Sequence, residues 1–180
     1  MRYRTYKLLA AVATLLLTLV ADCSLLQAQT LQIDSSTANW IEGFADFVRW
    51  EGEENSEMIT IGVIGAPEVA SYLERRALSR TSTPRIKVAI LSPHDSFRGV
   101  DILYIGGSQQ KHWETIFAKC KGNQTLSISS QDGFVEAGGC VEFVVRRNRL
   151  RFYIASEHAK ACDVTISSKL LELAIEPKAR

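Results

Sequence analysis

Histidine, proline and methionine are scarce in this chain: three, four and two among 180 residues. The three histidines, His94, His112 and His158, lie in separate segments without H-x-x-x-H or H-E-x-x-H spacing, so no zinc centre is specified. An excess of one charge is missing too. Twenty-one Lys and Arg stand against twenty Asp and Glu, a formal net charge of +1, which gives no case for nucleic acid or a polybasic membrane patch. Gly62 and Gly65 are not spaced as G-x-G-x-x-G, and no P-loop lysine follows them. Ser129 and Ser130 lack a G-x-S-x-G elbow. No carboxylates are paired at a spacing that specifies acid–base work. The acidic stretch Glu51, Glu53, Glu54 and Glu57 reads as a solvated loop. No catalytic residue, metal ligand or cofactor is therefore expected.

What is present begins with export. Arg2, Arg4 and Lys7 precede an apolar run from Leu8 to Val20. That run has the length of a signal-peptide h-region and is too short for a comfortable membrane span. Cleavage is expected after Ala28, giving a signal peptide over 1–28 and one domain over 29–180. An uncleaved N-terminal anchor is the alternative.

The remaining length suits a single core. Trp40, Ile41, Phe44, Phe47 and Val48 recur at helical spacing, and Gly43 among them suggests a tight packing contact. Ile59 to Ile64 is almost continuously apolar, as in a strand buried on both faces. Pro67 suits a first helical position, and Val69, Tyr72, Leu73 and Ala77 mark the helix. Strands are expected at Ile86–Leu91, Ile102–Ile105 and around Leu126 and Ile128. A helical face of Trp113, Ile116, Phe117 and Cys120 lies between the last two. Strands alternating with helices predict a three-layer α/β domain with a mostly parallel, Rossmann-like sheet.

The stretch from Cys140 to Ile154 breaks that alternation. Two β runs flank Arg146-Arg147-Asn148, and Asn tolerates positive φ. This predicts a C-terminal antiparallel hairpin. Ile166, Leu170, Leu171 and Ala174 then fall at the spacing of one final helical face. Arg146, Arg147, Arg149 and Arg151 form the one notable charge cluster. On a hairpin, Arg147, Arg149 and Arg151 would share a face. They either protect an edge strand or dock an acidic partner. Leu170 and Leu171 cannot both face one core, so one of them is exposed or meets another chain. Arg149, Arg151, Tyr153, Ile166, Leu170 and Leu171 are accordingly the candidate partner-binding residues.

Several motifs together resemble a known family. "GFADFVRW", "ITIGVIG", "DILYIG", "TLSISS" and the closing "GGCVEFVVRRNRLRFYI…VTISSKLLELA" resemble, in this order, the signature of the YfiR-like family of small bacterial periplasmic proteins. The resemblance covers most of residues 38 to 175. It implies a periplasmic, non-enzymatic regulator that binds the periplasmic domain of a membrane-bound diguanylate cyclase and holds it inactive. Lower cyclic di-GMP and less biofilm would follow. A homodimer is also implied as possible. Apart from the cysteines, two positions depart from the family pattern: Glu51 follows Trp50 where Pro is common, and Tyr153 replaces the usual Glu. The alternative function is a small periplasmic ligand-binding module, using the loops after Ile64 and Ile105.

Beyond residue 28 the cysteines are Cys120, Cys140 and Cys162. An oxidising compartment favours a disulfide, and three pairings are open. The resemblance narrows them. Family members tend to have Leu where Cys120 stands, and Met and Gly where Cys140 and Cys162 stand. The latter two depart together inside one compact unit, so Cys140–Cys162 is the expected bond. Cys120 would remain a buried thiol.

Overall fold

The computed structural model describes residues 34–50, 52 and 56–176. The expected signal peptide, 1–28, lies outside them. Among the described residues, no helix is long and apolar enough to cross a membrane.

The apolar runs become the central strands. β2 (Met58–Ile64) and β3 (Arg85–Leu91) flank α2 (Pro67–Ser79), and β4 (Ile102–Ile105) and β5 (Leu126–Ser129) flank α3 (Trp113–Gly122). β2 pairs in parallel with both β3 and β4, β4 with β5, and β5 with β6 (Val141–Arg146). β7 (Arg149–Ile154) closes the order β3-β2-β4-β5-β6-β7 as the antiparallel arm of a hairpin. The mixed α/β architecture with a mostly parallel sheet and C-terminal hairpin is thus as the sequence predicts. β4 and β5 are buried throughout, which explains their unbroken apolar or small-polar character. β3 is an edge strand, with Ile90 69% exposed.

The first helix, α1, spans residues 34–44. Its Trp40 and Phe44 lie 5.0 and 5.2 Å from the Phe152 ring, and Phe44 stacks on Phe143 at 5.9 Å. Phe143 and Phe152 are direct cross-strand partners, so they point to one face of the sheet. α1 covers that face. Ion pairs from Glu42 to Arg76 and Arg80 fasten α2 beside α1. On the other face, Phe134 meets Trp113 and Phe117 of α3, each at 5.2 Å.

Three sequence expectations change here. Phe47 and Val48 do not extend the helix: the chain turns at 45–47, which holds Phe47, and Val48 enters β1 (Val48–Trp50). β1 pairs antiparallel with β8 (Val164–Ile166). Ile166 therefore belongs to a strand and not to the last helix, α5 (Ser168–Leu173). In both places pairing with a distant segment overrides the local helical spacing. Gly43 also has nothing within 4 Å of a would-be Cβ, so no tight contact explains it.

Arg80 is the centre of the α1–α2 brace. Its side chain is 9% exposed and bonds Glu42 at 3.1 Å, Asp46 at 2.6 Å and the Pro84 carbonyl at 2.9 Å. Arg80→Met should lower unfolding stability by about 2 kcal/mol, since charged hydrogen bonds are lost while Glu42 keeps Arg76. A urea unfolding curve superimposed on the wild-type one would show the brace to be idle.

Candidate functional site

The hairpin is held by a two-residue turn. Arg147 and Asn148 both have positive φ, +49° and +58°, the geometry whose twist matches the paired strands. Cross-strand register sets Arg146 opposite Arg149, Val144 opposite Arg151 and Glu142 opposite Tyr153. Because Phe152 faces α1, strand alternation sends Arg149, Arg151 and Tyr153 to the opposite face. Arg146 joins them there. Arg147, expected on that face, is spent in the turn.

These arginines are exposed, and none makes an ion pair among the described residues. Tyr153 is 7% exposed, and its hydroxyl accepts a hydrogen bond from Arg146 Nη2 at 2.7 Å. The phenol thus positions one arginine and offers little surface of its own. Glu142 beside it is buried, and its Oε2 accepts the Val135 N–H at 3.1 Å, tying the 131–139 loop to the hairpin.

α5 carries the other predicted residues. Ser167 caps it, its side chain accepting from the Leu170 N–H. Leu170 is 1% exposed and packs in the core, whereas Leu171 is 38% exposed. Ile166 is half-buried in β8. Beyond the helix, the Ile175 N–H donates to the Phe152 carbonyl at 3.0 Å. The C-terminal segment therefore shields part of the β7 edge, and the hairpin arginines are not its only protection. Leu173 and Val145, 46% and 50% exposed, add apolar surface that the sequence reading did not single out. The i, i+2 pair Leu171 and Leu173, either side of Glu172 and just after the core Leu170, was the available signal.

The other candidates are placed as follows. β2 and β4 flank the point where strand order reverses, the usual crevice for ligands in open α/β sheets. The loops after them fill each other's space. The Gly106 N–H donates to the Ile64 carbonyl at 2.8 Å, and the Gln109 and Ser108 side chains occupy the room beside Gly65. Ser129 Oγ donates to the Ile105 carbonyl, and Ser130 is bonded to the Tyr104 hydroxyl. The His94 and His112 rings meet edge-on at 5.4 Å, while His158 Nδ1 contacts the Gly139 carbonyl. No group of three or more potential metal ligands is found among the described residues. A cleft of about 220 Å³ opens near Asp46, Arg49, Trp50, Thr83 and Pro84, beside the N-terminal ends of β2 and β3.

All three cysteines are buried thiols. All three lie in one buried core cluster, and His158, four residues before Cys162, meets the Gly139 carbonyl next to Cys140.

Compared with known proteins, residues 34–175 match a family model described as YfiR/HmsC-like. The comparison with curated proteins finds no match.

Proposed function

The chain belongs to the YfiR/HmsC-like family, and from that premise we propose that it is a non-enzymatic periplasmic regulator. It binds the periplasmic domain of an inner-membrane diguanylate cyclase and lowers its output. The family match over residues 34–175 carries this reading; fold alone would not. The basic N-terminus and apolar run of Leu8–Val20 support export to that compartment.

Two surfaces are offered for the partner. One is the basic hairpin face of Arg149 and Arg151, which suits a carboxylate-rich patch. The other is the apolar rim of Leu171 and Leu173 with Ile166. Leu170 and Tyr153 support these surfaces from below, Leu170 through the core and Tyr153 through Arg146. The test is capture of the tagged, exported protein from cross-linked cells, with mass spectrometry of the inner-membrane fraction. A diguanylate cyclase enriched over a mock sample supports the proposal. Enrichment of only soluble periplasmic proteins removes it.

The same assay separates surface from scaffold. Leu171→Asp combined with Arg151→Glu should weaken partner binding by about tenfold or more, as expected when interface anchors are lost. Both side chains are exposed, so the melting temperature should stay near that of the wild type. Wild-type affinity in the double variant would exclude both surfaces.

A further inference from the structure

The three thiols come from distant parts of the chain. Cys120 is on the inner face of α3, Cys140 immediately precedes β6, and Cys162 follows α4 (Ser156–Lys160). Such a meeting is not a local accident. Cys140 is clamped by backbone bonds: its N–H donates to Ser127 Oγ at 3.1 Å, and its carbonyl accepts the Ala155 N–H at 2.9 Å. α4 starts at the next residue, and the Cys162 N–H donates to the Ala159 carbonyl at 2.9 Å, turning the chain back. Within that turn His158 Nδ1 meets the Gly139 carbonyl at 2.9 Å, so the segment packs over the residue before Cys140, and Cys140 and Cys162 are buried in one core cluster. All three side chains are at most 4% exposed.

From this geometry we infer that Cys140 and Cys162 are a disulfide site, and that Cys120 is the thiol left over. The bond would fasten the start of β6 to the turn leading into β8 and α5. It requires an oxidant, here the disulfide of a protein thiol oxidase. The Cys140 thiolate attacks one sulfur of that disulfide, forming a mixed disulfide and releasing the donor's other sulfur as a thiolate. Cys162, once deprotonated, attacks the Cys140 sulfur and expels the donor's second thiolate. Two electrons pass to the donor, and the two protons lost by Cys140 and Cys162 end on its sulfurs. Because both side chains are buried in the folded domain, the exchange runs on the folding chain, before α4 closes over β6.

Once the site has closed, the three thiols differ in acidity. The Cys162 thiol, then Ser127, and at longer range His158, hold the Cys140 thiol down at about 6 against the opposing effect of burial. In the closed site Cys140 is thus the more acidic thiol of the pair. Cys140, then burial and Cys120, push Cys162 up, opposed only weakly by Lys121. Burial, then Cys140, pushes Cys120 up, which keeps it a thiol. The site does not depend on which partner the protein regulates.

Mass spectrometry of the full exported protein tests this, after acid quenching, alkylation and digestion without reductant. A peptide joining Cys140 to Cys162, with Cys120 alkylated, is expected. Alkylation of all three cysteines, or a link that includes Cys120, overturns the proposal. Stability gives a second readout. Reductant should lower the melting temperature of the wild type by roughly 10 °C, from the loop-closure entropy of the bond spread over a domain of this size. Cys120→Ala should retain that sensitivity, and Cys162→Ala should abolish it. If Cys162→Ala does not fold, the wild-type peptide map still decides.

Discussion

Phe152→Ala should lower the free energy of unfolding by about 3–5 kcal/mol, the range for emptying a large aromatic from a core. Phe152 is 1% exposed and touches three other rings: Trp40 at 5.0 Å, Phe44 at 5.2 Å and Phe143 at 6.3 Å. These join α1 to the hairpin, so the cavity would open between two elements far apart in sequence. Little can collapse into it, because α1 is also fixed through Glu42 to α2. The backbone of Phe152 accepts the Ile175 N–H, so the C-terminal segment should loosen as well. Urea unfolding followed by tryptophan fluorescence measures the effect. A loss under about 1 kcal/mol would mean that the hairpin does not pack on α1 as described.

Gly106→Ala should be comparably severe, for a steric reason. A Cβ at residue 106 would stand 2.2 Å from the Gly65 carbonyl oxygen and 2.7 Å from its carbon. Both are backbone atoms, and the Gly106 N–H is already committed to the Ile64 carbonyl. No side-chain rotation relieves such a contact, so β2 and β4 must separate at their C-terminal ends. The expected loss is about 3 kcal/mol or more, at the upper end for overpacked sites. Gly43→Ala is the matched control, since nothing lies near its would-be Cβ. It should be neutral or stabilising. Equal stability of Gly106→Ala and wild type would contradict the close approach of the two loops.

Long, strongly patterned segments were legible in the sequence. Ile59–Ile64 and Ile102–Ile105 had to be buried strands, and the run to Ile154 had to be a hairpin, because only those elements bury such patterns. Short segments were not legible. Val48–Trp50 and Val164–Ile166 are strands only because each pairs with the other across most of the chain, and three residues carry no periodicity of their own. The arginine face was half-read for a related reason. Placing the turn one residue later changes which arginines align, and Arg147 gave way to Arg146. Leu170 and Leu171, adjacent on one helix, cannot share a core. Only the docking of α5 showed that Leu170 is the inner one. The pairing of Cys140 with Cys162 proposed above starts from their joint departure from the family pattern, and it depends on the short α4, which the sequence marks only as polar and helical in composition.

The most direct measurement is intracellular cyclic di-GMP in cells lacking this protein, and in the same cells supplied with it in exported form. Loss of the protein should raise cyclic di-GMP and biofilm, and the exported form should restore the lower level. A form without residues 1–28 should fail to do so, although its domain is intact. Unchanged cyclic di-GMP on deletion, or rescue by the unexported form, would contradict a periplasmic brake on a diguanylate cyclase.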